Sequence, residues 1–185
     1  MLLVAVIAVG ALLRVLLVVW SPRPEGYVYD FYHRGVLVAW RRRGLPVAAD
    51  CWQCYHPPLF YLVSLPLLAV GKVIHKVFPA AGGAELRALA VLPLACGTAC
   101  VYFGYRTLRL LRFDAAFVAI GTGFLLTLPV LFFSTYGVEA DILLAALMCA
   151  LTFYATRYTL RPTSQTTPMA AGLFSAAPAG YTLIR

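Results

Sequence analysis

Apolar residues in this chain come in long runs separated by short polar joints, and the run lengths set the first expectation. Residues 2–20, LLVAVIAVGALLRVLLVVW, hold one charge, Arg14, and match one bilayer crossing at about 1.5 Å per helical residue. Runs 88–105, 115–136 and 140–156 approach that length, with the joints RTLRLLRFD and GVE between them. The pattern predicts four transmembrane helices. Residues 58–78 are also apolar, but Pro66 and Gly71 interrupt them and Lys72, His75 and Lys76 end them on one helical face. This segment is expected to lie in the interface or turn back within it. Residues 169–184 carry Ala, Gly and Pro where a span would carry Leu and Val, and read as a helix cut short. Val18, Val19 and Trp20 offer no small-residue cleavage site, so 2–20 is read as a retained helix rather than a signal peptide. Arg14 is costly in hydrocarbon unless it snorkels or faces other protein groups, and its position a turn and a half from the end of that helix makes snorkelling the simpler expectation.

Composition strengthens the membrane reading. Hydrophobic residues make up 62% and charged residues 12% of the 185 positions, and mean hydropathy is +0.84. A soluble domain carries about 25% charged residues, so a water-soluble globule is excluded. The net charge of +8 sits in short clusters beside apolar runs, which fits membrane flanks or anionic lipid rather than nucleic acid. The expected fold is therefore an all-α polytopic transmembrane bundle, with interfacial helices in the first loop.

Polar chemistry concentrates in that loop, residues 21–58. Asp30 is placed to cap a helix over 31–43, whose last turn sets Arg41, Arg42 and Arg43 against the helix dipole and which Gly44 and Pro46 end. Phe31, Val36, Val38 and Trp40 among those cations suit a membrane surface. On its own, Asp30 reads as a plain helix cap. His33, one turn later, shares its face, but two ligands do not make a metal site. Cys51 and Cys54 form a lone CxxC without the two further ligands zinc needs or the βαβ setting of a thioredoxin; a local disulfide or two ordinary thiols remain open. Cys96 and Cys100, one turn apart in an apolar run, suit close helix packing. Glu139 and Asp141, at a span edge, read by themselves as solvated acids.

The loop does more than sum these features. Asp30-Phe-Tyr-His33, a short helix, Gly44-Leu-Pro46 and then Trp52-Gln-Cys-Tyr55-His56-Pro57-Pro58-Leu59-Phe60-Tyr61 resemble the first extracytoplasmic loop of the protein O-mannosyltransferase-like glycosyltransferases of the membrane-embedded C superfamily. Leu86-Arg87, Tyr105-Arg106 and the acidic pair Glu139 and Asp141 match more loosely, and relatives are commonly far longer. The resemblance implies that residues 1–185 are the N-terminal part of such a transmembrane domain, completed by later spans. It also implies an inverting transfer of a hexose or pentose from a polyprenyl-phosphate carrier to a lipid, glycan or protein acceptor. Asp30 would be the general base. His33, Arg41, Arg42, Arg43, Tyr55, His56, Glu139 and Asp141 would surround donor phosphate or acceptor. No metal ligand set is assigned; a divalent cation is a cofactor that some superfamily members use and others do not. The setting implied is a bacterial plasma membrane with the site facing outside.

Topology links these expectations. If 58–78 does not cross, Glu139 returns to the side of Asp30, and Arg106, Arg109, Arg112, Arg157 and Arg161 fall on the cytoplasmic side, as positive charge prefers. The loop's own Arg23, Arg34, Arg41, Arg42 and Arg43 count against this placement, which a site for a lipid phosphate would explain. The competing function is a small transporter or membrane assembly subunit without catalysis, in which Arg14, Glu139 and Asp141 line a polar path.

Overall fold

A computed structural model describes residues 2–20, 35–37, 39–40, 44, 58–79, 84–128 and 140–160. Every element among them is helical: α1 Leu2–Trp20, α2 Pro58–Val77, α3 Ala84–Leu89, α4 Val91–Leu110, α5 Ala115–Thr127 and α6 Asp141–Leu160. Three stretches are long and apolar enough to cross a membrane, Pro58–Val77, Ala84–Leu110 and Asp141–Leu160, and α1 has 19 residues. The all-α bundle expected from the apolar runs is what forms, and its helices are those of an integral membrane protein.

Helix directions follow from which residues meet. On α4, Cys96 and Cys100 pack in one cluster with Ile142 and Ala146 of α6, and the Phe103 ring lies 5.8 Å from that of Phe153. Rising numbers on one helix meet rising numbers on the other, so α4 and α6 run parallel. Gly104 faces Leu125 and Gly121 faces Leu108, which makes α4 and α5 an antiparallel hairpin. Arg14 of α1 bonds Gly97, while Ile7 and Ala11, earlier on α1, line one cavity with Val101 and Tyr105, later on α4, so α1 is antiparallel to α4. Small residues at these meeting points let the backbones approach, as packing within lipid requires.

The turn between α4 and α5 is closed by its own backbone. Phe113 N–H donates to Leu108 O at 3.4 Å and Arg112 N–H to Arg109 O at 3.1 Å, the paired bonds of a Schellman motif. Its left-handed position holds Arg112 at φ 60°, where glycine is usual. Asp114 then caps α5, its carboxylate accepting from the Phe117 N–H at 2.8 Å, and the Phe113 and Phe117 rings stack at 4.5 Å.

Two features depart from the sequence expectation. Pro66 and Gly71 do not break α2, which is a continuous helix of 20 residues. Gly71 is instead where α2 meets α3: a Cβ there would stand 2.7 Å from the Glu85 Cα and 3.0 Å from the Ala84 carbonyl. A glycine read as an interruption is a close backbone approach. The second span also begins earlier than 88. α3 and α4 form one helical stretch of 27 residues, Ala84–Leu110, with a single turn residue, Ala90. Pro93 explains the irregularity, since it has no N–H to offer the Leu89 carbonyl one turn back. The third span is helical through Thr127; residues 129–136 of it and the expected segment 169–184 lie outside the described residues.

Candidate functional site

The first loop enters the described fold through a short helical piece, Gly35 to Leu37 with Ala39 and Trp40. Gly44 N–H donates to the Trp40 carbonyl at 2.9 Å and Gly44 takes φ 85°, the left-handed geometry that closes a helix and that glycine adopts without strain. The expected stop is therefore present. Val36 and Leu37 are buried in one cluster with Phe60, Tyr61 and Leu68 of α2, Leu89 of α3 and Ala140, with Trp40 and Leu143 packed against it. Phe60 and Tyr61, the tail of the Trp-Gln-Cys-Tyr-His-Pro-Pro-Leu-Phe-Tyr stretch, are 1% exposed, with rings edge to face at 5.6 Å. These two side chains anchor the loop.

This cluster gathers two separate stretches at one end of the bundle. Val36 and Leu37 come from the Asp30 loop, and Ala140 stands between Glu139 and Asp141. Helix direction agrees independently, because the C-terminal end of α1 and the N-terminal ends of α4 and α6 point the same way. Asp141 is exposed in the first turn of α6, where a carboxylate complements the helix dipole. Of the candidate site residues it alone is described; Asp30, His33, Arg41, Arg42, Arg43, Tyr55, His56 and Glu139 lie outside the described residues, as do Cys51 and Cys54. Among the described residues no group of three His, Cys, Asp or Glu is placed to hold a metal ion.

The opposite end carries cations. Arg106 donates to the Tyr102 hydroxyl at 2.7 Å and sits 5.4 Å from the Phe153 ring centroid, a cation–π contact. Arg109 and Arg157 occupy the last turns of α4 and α6, where a positive charge suits the dipole.

Arg14 overturns the snorkelling expectation. It is 2% exposed and points between helices, donating to the carbonyls of Gly97 at 3.2 Å, Leu126 at 3.2 Å and Leu125 at 3.4 Å. The last carbonyls of a helix have no partner within it, so Arg14 satisfies the C-terminal end of α5 from a neighbouring helix. Its Nε has no hydrogen-bond partner among the described residues. Gly10 and Ala11, one turn before Arg14, were the available signal, since small residues mark the packed face of a membrane helix. Beside Arg14 a cavity of about 210 Å³ opens between α1 and α4, with Leu126 of α5 as a third wall. No family model matches the sequence, and no curated protein or solved structure matches the chain.

Proposed function

We propose that this chain takes part in moving a sugar from a polyprenyl-phosphate carrier to an acceptor hydroxyl or similar nucleophile at the outer face of a bacterial plasma membrane, as part of a protein O-mannosyltransferase-like enzyme. The observation that supports the reading is the cluster joining Val36 and Leu37 to Ala140, since it draws the acidic stretch before α6 toward the loop that carries Asp30. In the proposed step, the Asp30 carboxylate takes the acceptor proton as the acceptor oxygen bonds to the anomeric carbon. The sugar–phosphate bond breaks on the opposite face and the polyprenyl phosphate departs, which inverts the anomeric centre. Arg41, Arg42, Arg43 and His56 would hold the leaving phosphate, whose charge asks for cations at the membrane surface. His33 and Tyr55 would orient acceptor or donor, and Glu139 or Asp141 would supply a second carboxylate. The transporter reading asks Arg14 to line a polar path with the two acids, and is less favoured because two of its nitrogens are engaged by helix carbonyls.

Asp30→Asn tests the assignment. Asn keeps the acceptor oxygen of a helix cap and loses the base, so membranes containing the intact protein are expected to lose transfer from a labelled polyprenyl-phosphate donor while insertion is unchanged. Retained transfer would leave Asp30 a helix cap.

A further inference from the structure

The cavity beside Arg14 is a groove rather than a gap in packing. Ile7, Ala11 and Arg14 recur on one face of α1, Val101 and Tyr105 supply the facing wall from α4, and Leu126 closes the third side. Its volume, about 210 Å³, exceeds the ~150 Å³ of an apolar cavity that stays dry and accepts benzene. The wall is hydrocarbon except where Arg14 stands and at a few hydroxyls.

Arg14 is the second, independent observation. A guanidinium stays protonated, and this one is 2% exposed. Its three bonds go to neutral carbonyls, and among the described residues no carboxylate pairs with it. A full positive charge in a site of low dielectric attracts an anion far more strongly than the same charge in water. The Nε–H, buried like the rest of the side chain, has no hydrogen-bond partner among the described residues, so one donor of the cation is left unsatisfied.

We propose that the α1–α4 groove binds a single-chain lipid carboxylate, with the carboxylate against Arg14 and the alkyl chain along Ile7, Ala11 and Val101. The size and charge of the site select this class. A slender chain fits between two helices where a two-chain phospholipid does not, and a single negative charge balances the single cation. A phosphate monoester carries up to two charges and three acceptor oxygens for one unsatisfied N–H. The site stands apart from the sugar-transfer reading and does not depend on it.

The test uses the whole chain in phosphatidylcholine nanodiscs, with decanoate as probe and decanol and decyl phosphate as comparisons. Saturating decanoate is expected to raise the unfolding midpoint by about 5 °C, with decanol and decyl phosphate giving less than half that shift. Ala11→Leu and the milder Ala11→Val place methyl groups inside the groove. Each is expected to keep the midpoint without ligand and to weaken the decanoate response at least tenfold in concentration. Equal shifts from decanoate and decanol would overturn the proposal. So would a decanoate shift that survives in whichever Ala11 variant folds, or stabilisation by decyl phosphate with none by decanoate.

Discussion

The guanidinium of Arg14 donates across 3.2 Å to the carbonyl of Leu126, one residue before the end of α5. A charge near the end of an apolar helix would ordinarily reach for water. Here it finds the unpartnered end of another helix, and a second bond to Gly97 ties α1 to α4 as well. One side chain thus fastens three helices at the depth where α5 stops.

Arg14→Lys is therefore expected to be damaging although it keeps the charge. A lysine ammonium is a point donor without the planar fork that spans Gly97 and Leu126 together, and it would leave a buried charge poorly satisfied. The expected loss is roughly 2–3 kcal/mol, against little or none for a snorkelling side chain. Equilibrium unfolding in detergent separates the two, and a lysine variant as stable as the parent would remove the fastening role.

Gly71→Ala should disturb the α2–α3 pair more than Gly104→Ala disturbs α4–α5. The added methyl at 71 meets backbone of Glu85 and Ala84, whereas at 104 it meets only the Leu125 side chain, which can turn aside. The first change is expected to cost on the order of 1–3 kcal/mol and the second less than half as much. Hydrogen exchange over 58–89 and 91–127 reads the two pairs separately, and equal effects would contradict the close approach at Gly71.

Arg112→Gly is expected to be stabilising. At φ 60° a residue with a Cβ is strained by roughly 1–2 kcal/mol. Glycine removes that strain and loses part of the gain to the freer unfolded chain, leaving on the order of 0.5 kcal/mol. A β-branched Arg112→Val should go the other way. Thermal midpoints in the order Gly, Arg, Val support the Schellman turn; an unchanged midpoint in the valine variant would argue against it.

Helix existence was legible from the apolar runs because lipid demands them: α1 follows residues 2–20 to the residue, and α6 begins within one residue of its expected start. What could not be read was how helices meet. Gly71 and Pro66 look like breakers in a single sequence, yet a helix already hydrogen-bonded within itself tolerates a proline in a bilayer, and whether a glycine ends a helix or admits a neighbour depends on the neighbour. Arg14 was misplaced for the same reason, since the carbonyls that satisfy it are 83 and 112 positions away. Of the candidate site, the Gly44 stop was within reach of local pattern; Val36, read as a membrane-surface residue, is instead buried in a protein core. The meeting of Val36 with Ala140 was out of reach, because nothing in either segment names the other.

Helix Ala84–Leu110 also bears on topology. Its 27 residues extend about 40 Å, against a hydrocarbon core of about 30 Å, so the helix is longer than the core it would cross. If α2 lies beyond the slab shared by α1, α4 and α6, the Asp30 loop and the start of α6 share one face. Single cysteines at positions 30, 141 and 109, in a background without native thiols, test this most directly with a membrane-impermeant maleimide applied to intact cells. Positions 30 and 141 are expected to react from outside and position 109 only after permeabilisation. Reaction at 109 from outside with 141 protected would mean that α2 crosses fully, and would separate Asp141 from the Asp30 loop.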